Sequence, residues 1–279
     1  MSTAIRQPAV AGRFYPANAQ RLRAEVETFT THRATPEQVA TEPLIRAIGC
    51  VSPHAGYMYS GAVAGALYRR LELPHKFVIL CPNHTGQDEP LAIVSEGVWK
   101  TPLGNAAIDA GLAAVLKDAA PQLSEDAEAH RYEHALEVQL PFLQVLQPDF
   151  QFVPIAVGTS KFELLNALGE AIASVLTSRA ERTMIIASSD MNHYESDMVT
   201  RAKDHRAIEQ ILSLDPRGLF DVVTGEEISM CGFGPAVAML TAARQLGARS
   251  AELVKYATSG DVSGDRETVV GYAGVVVPC

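Results

Sequence analysis

The sequence predicts a three-layer α/β domain built on a mostly parallel central sheet. Short runs rich in Ile and Val recur along the chain, and helix-like stretches of about 10–15 residues lie between most of them. The runs are apolar without clear alternation, which suits strands covered on both faces. The chain of 279 residues has no internal repeat, low-complexity segment or obvious linker, so residues 1–279 read as one domain.

In chain order, Ala19–Thr30 is helix-like, and the polar, Pro-containing stretch Thr30–Pro43 reads as a surface connection. Ile45–Ser52 is the first strand and Gly61–Leu71 the helix after it. Phe77–Cys81 and Leu91–Val94 are strand-length runs, followed by helix-like Ala106–Ala119 and the amphipathic stretch Ala135–Leu146. Phe152–Val157, Phe162–Thr177, Met184–Ser188 and Thr200–Leu212 then alternate strand and helix. Pro235 suits the first turn of a helix over Pro235–Leu246, where a missing N–H costs nothing. Leu253–Ala257 is a strand, and Tyr272–Val277, with Gly271 and Gly274 around it, adds an antiparallel one.

Hydrophobic residues make up 47% and charged residues 20%, an ordinary globular balance. A chain this long buries about 75% of its extended surface and needs no disulfide staples. The 23 basic and 32 acidic side chains give a net charge of −9. That argues against a duplex nucleic-acid binder, which needs a basic footprint, and against docking on an anionic membrane. No apolar run approaches the roughly 20 residues of a membrane span. Met1 to Pro8 has no signal-peptide core, so a cytoplasmic location is expected. Cys50, Cys81, Cys231 and Cys279 are widely spaced, unlike a zinc finger or a disulfide framework. Cys50 reads as core, Cys81 as core or support, and Cys279 as incidental.

The main functional signal is position. Ile45–Ser52 runs into Pro53-His54-Ala55-Gly56-Tyr57, Phe77–Cys81 into Pro82-Asn83-His84-Thr85-Gly86, and Met184–Ser188 into Ser189-Asp190-Met191-Asn192-His193-Tyr194. Ligand crevices of open α/β sheets lie outside the carboxyl ends of the strands. One histidine there is ordinarily a solvated loop residue. Three in equivalent places argue that His54, His84 and His193 converge, provided their strands are parallel neighbours. His134 sits at the entrance to Ala135–Leu146. Cys231 lies close before Pro235, and a helix N-terminus is expected to lower its thiol pKa. Gly232-Phe233-Gly234 is a weak dinucleotide signal, since Val237 stands where the third glycine belongs. Neither a P-loop nor a nucleophile-elbow motif is present.

Imidazoles and a thiolate suit borderline divalent metals, with Fe(II), Zn and Cu as options. A further histidine beside such a site is a natural acid/base. A metal-free alternative makes Cys231 a nucleophile, with His193 or His134 as base and Asp190 as orienter.

Several motifs together resemble the Memo-like family, which includes the prokaryotic "AmmeMemoRadiSam system protein B" proteins. They are Ala9-Val10-Ala11-Gly12-Arg13-Phe14-Tyr15-Pro16, Pro53 to Tyr57, Glu133-His134-Ala135-Leu136-Glu137-Val138-Gln139-Leu140-Pro141-Phe142, Ser188-Ser189-Asp190 with His193, and Met230-Cys231-Gly232. They span nearly the whole chain. The family is similar in fold to class III extradiol dioxygenases, which are non-haem Fe(II) enzymes. The resemblance implies that His54, His84 and Cys231 are metal-ligand positions. It places His134 and His193 beside the metal, with Asp190 as neighbour. The dioxygenases use a carboxylate where this chain offers a thiol, which donates more charge and changes metal preference and O₂ reactivity. The implied activity is a dioxygenase-like oxidoreductase using a divalent metal, Fe(II) first, on a small molecule. Eukaryotic relatives are described as mediators of cell motility and redox signalling, so a non-catalytic metal-binding or redox-signalling adaptor with protein partners is the alternative. Homo-oligomers are common among such α/β domains.

Overall fold

The computed structural model describes residues 4–31, 43–85 and 89–279. Most of the Thr30–Pro43 connection, and Gly86 after His84, lie outside the described residues.

The strands are β1 (Ile5–Arg6), β2 (Ala47–Ser52), β3 (Lys76–Pro82), β4 (Leu91–Ile93), β5 (Val98–Thr101), β6 (Gly104–Ile108), β7 (Ser124–Glu125), β8 (Gln151–Val157), β9 (Thr183–Ser188), β10 (His193–Glu195), β11 (Glu252–Thr258) and β12 (Val269–Pro278). They form one mixed sheet in the order β1-β5-β6-β8-β3-β9-β2-β12-β10, with β11 beside β12 and β4 linking β7 to β8. Its centre, β8-β3-β9-β2, is parallel throughout. β12 runs antiparallel to β2, as the C-terminal sequence predicts.

The helices are α1 (Ala19–Thr31), α2 (Tyr57–Tyr68), α3 (Ala110–Ala119), α4 (Glu128–Arg131), α5 (Leu140–Leu146), α6 (Phe162–Thr177), α7 (Asp197–Leu212), α8 (Pro216–Gly225), α9 (Phe233–Gln245) and α10 (Gly260–Ser263). A 3₁₀ turn covers Glu137–Gln139.

Strand side chains alternate between two cores. Val51, Val78, Leu80, Ile185 and Ala187 pack with Leu165 and Leu168 of α6 and Val237 and Leu240 of α9. Cys50, Phe77, Ile79, Cys81, Met184 and Ile186 pack with Leu22 and Val26 of α1, Leu67 of α2 and Phe142 of α5. Helices therefore cover both faces, which completes the three layers. Among the described residues no helix is long and apolar enough to cross a membrane.

Three local readings change. Ala106–Ala119 is helical only from Ala110, because Gly104–Ile108 pairs with β5 and β8, and Asp109 caps α3 by accepting from the Leu112 N–H. Ala135–Leu146 is a turn, the 3₁₀ segment and then α5 rather than one helix. Pro141 lies in the first turn of α5, the place a helix start tolerates it. α2 begins at Tyr57, a turn before Gly61.

Candidate metal centre

The site is built at the carboxyl ends of β3, β9 and β2, which are adjacent and parallel. Register aligns these ends: Ser52 faces Ser188, and Leu80 faces Ala187. His54, His84 and Asp190 each follow within a few residues, so the sheet delivers them to one place.

Cys231 arrives from another part of the chain, just before α9. Gly232 permits this approach: a Cβ there would collide with the Ser188 carbonyl and the Ser189 side chain. The Gly232 N–H donates to Ser189 Oγ at 3.0 Å, which docks the turn against the end of β9.

All six residues singled out in the sequence line one cleft of about 550 Å³. Phe14, Tyr194 and Tyr272 form aromatic parts of its wall. One potential ligand atom from each of His54, His84 and Cys231 lies within 4.8 Å of the other two. The His54 ring meets the His84 and His134 rings edge-on at 5.3 and 5.5 Å, and His84 stacks on His134 at 4.6 Å.

The hydrogen bonds assign the imidazole tautomers. Ser188 Oγ donates to the Ala135 carbonyl at 2.6 Å, so it accepts from Gln139 Nε2 and from His54 Nδ1, 3.0 Å away. The ring proton of neutral His54 is therefore on Nδ1, and Nε2 keeps its lone pair. His84 Nδ1 faces the Glu133 carboxylate at 2.9 Å, and His193 Nδ1 faces the Ser229 carbonyl at 2.8 Å. Both partners are acceptors, so in the neutral rings Nδ1 donates and Nε2 is left for the cleft. Such an arrangement is typical of metal-binding histidines.

Glu133 is buried and accepts from the His84 N–H, His84 Nδ1 and the Ala135 N–H. Burial alone would raise its pKa, but these bonds and the His84 charge hold it at about 2. Burial opposes charge on His84, yet the Glu133 hydrogen bond and charge outweigh it and raise the His84 pKa. Burial pushes His54 down to about 3, and His84 adds to this. Burial, then the neighbouring His54, pulls His134 to about 4. Burial raises the Asp190 carboxyl, although Asp190 Oδ1 accepts from the His54 N–H at 2.7 Å.

Two expectations are corrected. The Cys231 thiol is raised well above its ordinary pKa, because burial and the Asp190 charge outweigh its hydrogen bonds with the backbone of Asp190 and Gly232. The imidazole nitrogen bonded to its sulfur belongs to His54, at 3.2 Å, rather than to His193 or His134. Asp190 orients the His54 backbone, while Ser188 holds the ring.

Sequence reasoning missed Glu133, Ser188, Gln139 and Ser229. Glu133 adjoins His134 in the run Glu133–Phe142, but nothing local tells a buried acceptor from a surface glutamate. The serines act through pairings made only by the fold.

A family model described as "Memo-like protein" matches residues 6–276. A MEMO1 family protein of Methanopyrus kandleri is 42% identical over 277 residues, covering 97% of this chain and 98% of the relative. One from Methanosarcina mazei is 43% identical over 274 residues, covering 98% and 99%. The crystal structure of an uncharacterized protein from Escherichia coli K12 shares the fold, with TM-score 0.57 and 15% identity. The match covers 83% of this chain and 100% of that one.

Proposed function

The chain belongs to the Memo-like family, and from that premise we propose that His54, His84 and Cys231 hold a divalent metal ion in an oxidoreductase acting on a small molecule. Iron(II) is the first choice, with zinc and copper as the other options. The observation that carries this reading is the convergence of the three ligand atoms within 4.8 Å. Two imidazoles and a thiol are a borderline-to-soft donor set that suits these metals over magnesium or calcium.

The second grouping, His84, Glu133 and His134, fits an ion less well. Glu133 Oε1 already accepts from His84 Nδ1 and the Ala135 N–H, so the carboxylate serves to orient His84.

When bound, a redox-active ion supplies electron exchange with substrate or O₂. The chain supplies the rest. Ser188 and Glu133 aim His54 and His84, and Asp190 fixes the His54 backbone. His134 and His193 line the same cleft and can move protons at imidazole nitrogens. Cys50, Cys81, Cys231 and Cys279 form no disulfide with one another, in keeping with the cytoplasmic location of this reading.

The 3.2 Å contact between Cys231 and His54 favours one second reading, a metal-free thiol–imidazole pair. A raised thiol and a weakly basic imidazole make it a poor nucleophile, so this reading ranks second.

The test is metal analysis after anaerobic purification. About one ion per wild-type chain is expected, with its loss in His54→Ala and His84→Ala. Wild-type stoichiometry in both variants would reject the assignment. Metal-dependent O₂ consumption separates an enzyme from a metal-binding adaptor.

A further inference from the structure

Beyond the ligand cluster, the cleft is braced by a buried amide. We propose that Asn192 is a positioning residue: it fixes the tautomer of His193 and ties that histidine to the loop carrying Cys231. The proposal rests on His193 acting in the cleft described above.

Asn192 is buried, and its amide orientation is settled by its partners. Its Nδ2 donates to Glu195 Oε2 at 2.7 Å and to Thr200 Oγ1 at 3.3 Å. Its Oδ1 accepts from the Ser229 N–H at 3.1 Å and from Ser229 Oγ at 3.0 Å. Ser229 in turn holds His193 at two points. The His193 N–H donates to Ser229 Oγ at 2.8 Å, and the ring Nδ1 donates to the Ser229 carbonyl at 2.8 Å. Ser229 lies two residues before Cys231, so the same clasp sets the thiol-bearing turn.

The backbone around the clasp is strained. Tyr194, between His193 and Glu195, has φ 62°, and Glu227, before Ser229, has φ 52°. Residues other than glycine persist there only when their surroundings over-determine them. The Asn192–Glu195 bond closes the first turn, and the bonds to Ser229 anchor the residue just beyond the second.

The clasp thus gives His193 a defined proton on Nδ1 and leaves Nε2 for the cleft. An unclasped imidazole would sample both tautomers and present the wrong nitrogen part of the time.

The test reads tautomers directly by ¹⁵N NMR of the ring nitrogens in the full chain, metal-free, so it is independent of whether any ion binds. Wild-type His193 should show a protonated Nδ1 and an unprotonated Nε2. In Asn192→Ala, with Ser229 no longer held, the bond from His193 Nδ1 to the Ser229 carbonyl should loosen and the ratio should fall about tenfold toward the averaged pattern of free imidazole, the scale of that one hydrogen bond. Peptide-resolved iodoacetamide labelling of Cys231 should also speed up. Ser229→Ala keeps the carbonyl but loses the hydroxyl bonds, and should shift both readouts the same way. It decides the matter if Asn192→Ala does not fold. A folded variant with wild-type tautomer and labelling overturns the proposal. A shifted tautomer in a protein whose wild type binds no metal leaves the clasp standing and rejects the metal reading alone.

Discussion

Cys231 Sγ lies 3.2 Å from His54 Nε2, so thiol and imidazole are joined through the two atoms that would face an ion. Because Ser188 keeps the His54 proton on Nδ1, Nε2 accepts from the S–H. An entering cation must break this bond and expel the thiol proton.

Metal binding should therefore release the thiol proton at neutral pH, together with the share of a proton that His84 still carries. Affinity for zinc, used as a redox-silent probe, should rise about tenfold per pH unit once His84 is neutral and while the free thiol stays protonated. Calorimetric titrations in buffers of different ionisation enthalpy measure the proton count. Cys231→Ser should lower both affinity and proton release, since a hydroxyl is a poor donor to a borderline ion. Binding with no proton released would show that the sulfur stays a thiol.

Glu133→Gln keeps the size of the side chain but turns an NH₂ toward groups that now donate to a carboxylate. His84 loses its orienting charge, and zinc affinity should fall about 10- to 100-fold. The acid limb of stability should change as well. The folded pKa of about 2 lies below the ordinary 4.5, so the carboxylate stabilises the fold above pH 4.5 and that share is lost as pH falls toward 2. Thermal melts across this window should be flatter in the variant.

The centre of the fold was legible because β2, β3 and β9 are apolar and covered on both faces, which leaves an unbroken run in the sequence. The helix Phe162–Thr177 is read with the bounds it adopts, since its apolar face is long and regular. Edge strands such as β1 and β7 span two residues and carry no periodicity, so only pairing reveals them. The cleft residues were legible because a histidine after a buried strand has a fixed address in this architecture. Their supports were not. Ser229 holds His193 from a segment 36 residues away in the chain, and no local pattern announces that.

A second pH effect should come from Asp204, away from the ligand cluster. Its carboxyl is buried and pushed up to about 7, although Tyr256 Oη and the Asn192 N–H both donate to it. With the folded pKa above the ordinary 3.8, the folded chain binds the proton more tightly than the unfolded one. Stability should fall as pH rises from about 4 to about 7 and level off beyond. Asp204→Asn removes the titrating group while keeping an oxygen for the Asn192 N–H. Its melting temperature should be flatter over this range and should gain on wild type toward pH 8. Parallel pH profiles for the two proteins would contradict the buried-carboxyl account.

Gly232 tests whether the placement of Cys231 depends on backbone contact. A Cβ at this position cannot fit between the Ser188 carbonyl and the Ser189 side chain, both near the end of β9. β9 is buried between β3 and β2 and cannot move aside, so the turn carrying Cys231 must retreat. Gly232→Ala should cost about 1–3 kcal/mol of stability, the usual scale of overpacking. It should also weaken zinc binding more than stability alone predicts, because the sulfur is drawn away from His54 and His84. Gly225→Ala is the control, since a Cβ there meets nothing within 4 Å. Denaturant unfolding and zinc titration on the two variants should show loss of both properties in the first and of neither in the second. Wild-type zinc affinity in a folded Gly232→Ala protein would mean that the cysteine finds its place by some route other than this close approach.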